Sequence, residues 1–89
     1  MFARKKPVPI EFFKCSDLME AARCDWKALP KCVAEAYERG EFIFFDTYVL
    51  IKTLEGDHKA NPTDIIIKGV KGEFYPIRSD IFYETYEMI

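Results

Sequence analysis

Apolar and polar residues alternate through Val8, Ile10 and Phe12, between Pro7 and Lys14, and an alternation of period two predicts a strand. Pro7 and Pro9 have no N–H to give to a ladder, which assigns this strand to a sheet edge. The basic cluster Arg4-Lys5-Lys6 just ahead of it reads as a solvated entry that keeps the edge from pairing. The period then changes. Leu18, Ala22 and Trp26 recur every four residues, with Met19 beside them, and predict an amphipathic helix from Asp17 to Asp25 or Trp26. Ser16 and Asp17 are both suited to its N-cap, and Glu20 stands at capping-box spacing from Asp17. A second helix is predicted over Pro30–Arg39. Proline suits its first turn, Val33, Ala36 and Tyr37 make its apolar stripe, and Gly40 stands where a left-handed residue ends a helix. Two helices this short and this close in sequence should pack as a corner.

From Phe42 onward the aromatic and β-branched residues of Phe42–Phe45 and Tyr48–Leu54 predict strands, with Asp46-Thr47 bending the run between them. Leu54 to His58 reads as a hairpin loop with Gly56 at positive φ, followed by a short return strand at Lys59-Ala60. Asn61-Pro62-Thr63-Asp64 is a turn. Asp64 to Val70 is the strongest strand, and its three consecutive isoleucines predict that both its faces are covered. Lys71-Gly72 predicts a tight two-residue turn into Glu73–Ile77, Ser79 caps a single helical turn from Asp80 to Tyr83, and Tyr86 to Ile89 returns as a short edge strand. The order is α+β in a single domain, residues 1–89. The expected architecture is a small bent antiparallel sheet or partly open barrel with an N-terminal edge strand and a two-helix insert.

Composition narrows the function classes. Of 89 residues, 49% are hydrophobic and 31% charged, which suits a globular domain and not a disordered chain. A net charge of −2 argues against nonspecific nucleic-acid binding, which needs a strong positive field. The longest apolar candidate, Phe42 to Phe45, is interrupted by Asp46, far short of a membrane span. Pro7, Pro9 and Glu11 likewise exclude the apolar core of a secretory signal after the basic N-terminus. Cys15, Cys24 and Cys32 are odd in number and widely spaced, with no Cys-x-x-Cys pair and one distant histidine. They read as reduced thiols acting as small hydrophobes, not as a disulfide frame or a zinc site. No metal and no cofactor are expected.

Several stretches carry a resemblance. Tyr48-Val49-Leu50-Ile51-Lys52-Thr53-Leu54-Glu55-Gly56, then Asp64-Ile65-Ile66-Ile67-Lys68-Gly69-Val70-Lys71-Gly72-Glu73-Phe74-Tyr75-Pro76, Ile81-Phe82 and Thr85-Tyr86-Glu87 form one pattern with the start Ala3 to Glu11 and the helix end Ala36 to Glu41. It resembles the PGDYG-type small proteins of bacteriophages and prophages. The chain departs from that pattern where Asn61-Pro62-Thr63-Asp64 stands in place of Pro-Gly-Asp, and Thr63 does not take positive φ as cheaply as glycine. The resemblance implies a phage accessory gene expressed in the cytoplasm of a bacterial host. It implies no activity.

No nucleophile, phosphate loop or acid pair supports catalysis, so no enzyme is expected and no catalytic residue is assigned. His58 beside Glu55 and Asp57 has the makings of a general base, but a polar hairpin loop is the plainer account. Lys68, Lys71, Glu73 and Tyr75 surround the predicted tight turn and are candidate binding residues. The plainer account of them is a surface hairpin with weak cross-strand pairing. Fourteen aromatic residues, nine of them between Phe42 and Tyr86, are more than a small core hides, and exposed aromatics mark contact surfaces. Three functions follow. The first is a non-enzymatic protein that binds a host or phage macromolecule through an aromatic sheet face or edge, in the setting of counter-defence or host takeover. The second is a small-molecule binder, with a nucleotide-like ligand in a barrel mouth lined by Tyr48, Tyr75, Tyr83 and Lys68. The third is a homodimer or other homo-oligomer that buries its own edges and aromatics.

Overall fold

The computed structural model describes residues 1–4 and 8–88. Lys5, Lys6, Pro7 and Ile89 lie outside the described residues, and with them most of the basic cluster and the last residue of the expected C-terminal strand.

Instead of one bent sheet or a barrel, the described residues form two separate antiparallel sheets of three strands each, with three α-helices. The fold is α+β. The first sheet, here sheet A, runs β1 (Glu11–Lys14), β5 (Ile65–Lys68), β6 (Phe74–Ile77). Sheet B runs β2 (Phe42–Phe44), β3 (Val49–Thr53), β4 (Gly56–Ala60). Two helices, α1 (Cys15–Cys24) and α2 (Lys31–Glu38), separate β1 from sheet B, and α3 (Ser79–Thr85) follows β6. The insertion of two helices after an edge strand is as expected. So is the edge position of β1, which among the described residues pairs with β5 alone. The strand begins at Glu11, past both prolines and their missing donors.

Sheet A is the middle layer, and β5 shows why. Ile65, Ile66 and Ile67 are all buried. Ile66 faces the larger core with Leu18 and Met19 of α1, Val33 and Ala36 of α2, and Phe42, Val49 and Ile51 of sheet B. Ile65 and Ile67 face the other way and pack with Phe82 of α3, flanked by Phe12, Tyr75 and Tyr86. A strand covered on both sides loses the alternation of an exposed strand, which is the pattern of its three isoleucines.

Several local expectations are corrected. Neither Ser16 nor Asp17 caps α1. The helix starts at Cys15 directly from β1, and the Cys15 N–H donates to the carbonyl of Asp64 at 3.0 Å, so a bond across the fold serves in place of a side-chain cap. Helix α1 ends at Cys24, because Asp25 is extended (φ −154°), and Trp26 falls in a separate 3-10 turn, Trp26–Ala28. Ser79 is the first residue of α3 and not its cap, and α3 is longer than one turn. Tyr86 to Met88 forms no strand. The β5–β6 connection is five residues, 69–73, closed by Gly69 N–H to Glu73 O at 2.7 Å, and not a two-residue turn. The first hairpin loop is shorter than expected. Leu54-Glu55 alone makes the turn, Thr53 pairs with Gly56, and His58 lies inside β4. Gly40 and Gly56 have φ of 79° and 118°, as their places in the sequence require. The turn at Asn61–Asp64 closes without positive φ at Thr63, through Asp64 N–H to Asn61 O at 2.9 Å and Asn61 N–H to Asp64 Oδ2 at 2.8 Å.

The three cysteines are free thiols. Cys15 is buried and Cys32 packs against the larger core, but Cys24 is exposed, so only two of the three act as small hydrophobes. Burial, reinforced by Asp64, pushes the Cys15 thiol up to about 12 from 9.0. Between those values the unfolded chain releases a proton that the folded chain keeps. The stability is therefore present in full below pH 9.0 and is lost as pH climbs toward 12. Urea unfolding at about pH 8 and about pH 10.5 should show a larger loss in the wild type than in Cys15→Ala. Equal losses would remove Cys15 as a source of alkaline instability.

Candidate functional site

Two surfaces stand out, at opposite ends of sheet B. The strand register sets their places, with Phe44 opposite Val49 at one end, and Phe42 opposite Ile51 toward the other.

At the first end lies an aromatic surface. Trp26 stands 4.9 Å from Tyr37, edge to face, and 6.2 Å from Phe44, while Tyr37 and Phe44 are 6.0 Å apart. These are the spacings of mutually packed rings. Trp26 and Tyr37 nonetheless remain 44% and 43% exposed. Three elements build the cluster: the 3-10 turn brings Trp26, α2 brings Tyr37, and β2 brings Phe44. Arg23 fastens it by donating from Nη2 to the carbonyl of Asp46 at 3.1 Å, which ties the end of α1 to the β2–β3 loop. The same loop displays a second pair. Phe45, 43% exposed, stacks on Tyr48 at 4.7 Å, and the Lys59 Nζ lies 4.7 Å from the centre of the Tyr48 ring.

At the other end is a half-open cleft of about 720 Å³ between sheet B and β6. That volume is in the range of small-molecule sites. Phe74, almost fully buried, is its floor. Sheet B contributes Lys52, Thr53 and His58, the last on the same strand face as Val49 and Ala60, and the Leu54–Glu55 turn stands at the mouth. Glu41, Glu73, Tyr75 and Pro76 complete the wall.

The residues singled out in the sequence are not gathered into one place. Glu73 and Tyr75 reach the cleft. The Tyr75 ring packs on the α3 side, where burial and then the neighbouring Tyr86 hold its phenol above the ordinary value. Lys68 pairs with Glu11 across the β1–β5 ladder at 3.6 Å. Lys71 is exposed in the 69–73 connection. Tyr48 belongs to the aromatic surface, and Tyr83 is exposed on α3 against Phe82, 5.1 Å between rings. The mouth expected from Tyr48, Tyr75, Tyr83 and Lys68 therefore does not form, and of these four only Tyr75 touches the cleft. Sequence reasoning missed Trp26 and Tyr37 as surface residues, because both fit the apolar stripes of their helices.

Among the described residues no group of three or more His, Cys, Asp or Glu is placed to hold a metal ion. No described helix is long and apolar enough to cross a membrane. No protein-family model matches the chain, and no curated protein or solved structure does so either.

Proposed function

We propose that the chain is a non-enzymatic binding protein that engages a host or phage protein through its aromatic surface. The observation that carries this reading is the Trp26–Tyr37–Phe44 cluster, in which two large rings pack together yet keep more than two-fifths of their area in water. Tryptophan and tyrosine dominate the energetics of protein contacts, since they bury large area at little cost in side-chain freedom. An apolar cluster fastened by Arg23 and built from three elements offers a preorganised face, which lowers the cost of association. The resemblance to PGDYG-type phage proteins, carried by stretches over most of the chain, supports the setting: an accessory protein in the bacterial cytoplasm, acting in counter-defence or host takeover.

Native mass spectrometry of the protein drawn gently from phage-infected bacteria tests this. The wild type should carry a protein adduct that Trp26→Ala and Tyr37→Ala each lose, with a weakening of at least about tenfold if either ring is a central contact. An adduct retained unchanged by both variants would place the contact elsewhere. A doubled mass of 20.8 kDa (twice 10.4 kDa), lost in the same variants, would replace the foreign partner by a second copy of the chain.

A further inference from the structure

The phase of the β1–β5 ladder is fixed at its end, where the Cys15 N–H donates to Asp64 O at 3.0 Å. Bonded pairs in an antiparallel ladder fall on every second residue. Phe13–Ile66 and Glu11–Lys68 are therefore the bonded pairs of β1. The N–H and C=O of Phe12 and the N–H of Lys14 point the other way, out of the sheet edge. Among the described residues none of these three groups has a hydrogen-bond partner. The prolines ahead of the strand do not blunt this side. Ile10 and Phe12 both pack on the smaller core, as alternate residues of an extended chain do. Pro9 thus shares the phase of Glu11, and its missing N–H falls on the β5 side.

The other edges are closed to pairing in ways that β1 is not. On β6 the bond from Gly69 N–H to Glu73 O continues the β5 register and leaves Phe74 and Pro76 outward, so a proline removes a donor there. Strand β2 lies against α2. On β4 the outward residues are Asp57 and Lys59, since Lys52 turns its N–H to Glu41 on the β2 side, and charges at both positions blunt an edge. Beside β1 runs a groove of about 340 Å³. Phe12 and Phe13 point to opposite faces of sheet A, yet both line it, and no residue of β5 does. It therefore follows the outer edge of the strand. Its open apolar surface comes from Phe13, Ala21 and Pro30, all half-buried, and from exposed Ala28. Lys14 and Asp17 bring one charge of each sign, so the groove does not select by charge.

We propose that the free edge of β1 takes an extended segment of a protein partner as a fourth strand of sheet A, bonded to the backbone of Phe12 and Lys14, with an apolar side chain in the groove. Donor, acceptor and donor in a row at strand spacing are matched by another strand. The backbone bonds supply attachment whatever the sequence of the segment. The groove supplies preference, because alternate side chains of an added strand fall on one face. This surface is distinct from the Trp26–Tyr37–Phe44 cluster, no ring of which lines the groove.

The test is a titration of isotope-labelled full-length protein with a short blocked peptide in which three valines alternate with two threonines between terminal lysines. It should saturate with a Kd on the order of 1 mM, moving the amides of Phe12, Lys14 and Ala21. At about 5 mM peptide, exchange of the Phe12 and Lys14 amides should slow about fivefold, while that of Phe13, already bonded to β5, changes little. The same peptide N-methylated at every residue keeps its side chains, loses its donors and should not saturate. Serine in place of each valine should weaken binding at least about threefold. Lys14 has a φ of −75°, which proline adopts, so Lys14→Pro deletes one outward N–H and keeps the fold. It should weaken the peptide about threefold to tenfold, the effect of one lost hydrogen bond, at an unchanged urea midpoint. Shifts that stay linear to about 10 mM, equal binding of the N-methylated peptide, or shifts centred on Asp57 and Lys59 would each overturn the proposal. So would a Lys14→Pro variant that folds and binds as the wild type does, or serine peptides that bind as the valine peptide does. Protection of Phe12 and Lys14 that rises with protein concentration alone would replace the foreign strand by a second copy of the chain.

Discussion

Phe42→Ala should cost about 3–5 kcal/mol of folding stability, read as a lower urea midpoint. A chain of 89 residues has on the order of 5–13 kcal/mol in all, so the variant sits close to unfolding at room temperature. Phe42 is 1% exposed and belongs to β2, yet its ring meets Phe74 of β6 edge to face at 5.0 Å. It is therefore a main link between the two sheets, which among the described residues share no hydrogen-bonded strands. No neighbour can refill the space. Val49 and Ile51 are fixed by the β3 ladder, and Phe44, 6.1 Å away, is engaged with Trp26 and Tyr37. The cleft floor formed by Phe74 would also loosen. A midpoint within about 0.5 kcal/mol of the wild type would mean that the sheets are held together by something other than this contact.

The second large effect is expected at Phe82→Ala, again about 3–5 kcal/mol, but with a different signature. Among the described residues the smaller core has three buried members, Ile65, Ile67 and Phe82, and Phe82 is its centre. Its ring lies 4.7 Å from Phe12 and stacks on Tyr86 at 5.1 Å. Helix α3 has seven residues, too few to persist without packing. Its removal bares one face of sheet A while the larger core, on the other face, stays filled. Hydrogen exchange should therefore show α3 amides losing protection first and most, with sheet B least affected. Uniform loss of protection across both sheets would show that the two cores melt as one.

How far the sequence announced this arrangement varies by element. The three isoleucines of β5 required cover on both faces, and two distinct cores supply it. Pro30 and Gly40 bracketed α2 to within a residue at each end. The division into two sheets was not legible, because a period of two says that a strand has faces without saying which strand lies beside it. Glu11 pairs with Lys68, a partner no local pattern names. Glu55, Gly56, Asp57 and His58 suggest a loop that ends before a return strand at Lys59-Ala60. The two-residue turn at Leu54-Glu55 instead carries the ladder straight through them. The caps expected at Ser16 and Asp17 failed for a tertiary reason, the bond from Cys15 to Asp64. The candidate surfaces were legible only in part. A surplus of aromatics was visible, but that Trp26 and Tyr37 would surface together depended on the break at Asp25. Glu73 was singled out, whereas Glu55 was weighed only as a companion to His58.

The pairing of β1 with β5 has a consequence in time. Sheet B is assembled from neighbours in sequence, residues 42 to 60, and can close as soon as it is made. Strand β1 leaves the ribosome before sheet B and, among the described residues, finds its partner strand at residues 65 to 68. Until then Phe12 and Phe13 have no ladder, Phe12 also lacks its cover because Ile67 and Phe82 come later, and the middle layer of the molecule does not exist. Synthesis thus passes through a stage in which the sheet B hairpins are formed and the apolar β1 segment still lacks its partner strand. During that stage the segment is open to chaperones or to a neighbouring nascent chain. The prolines and basic residues ahead of β1 discourage pairing at the moment when pairing would be with the wrong strand.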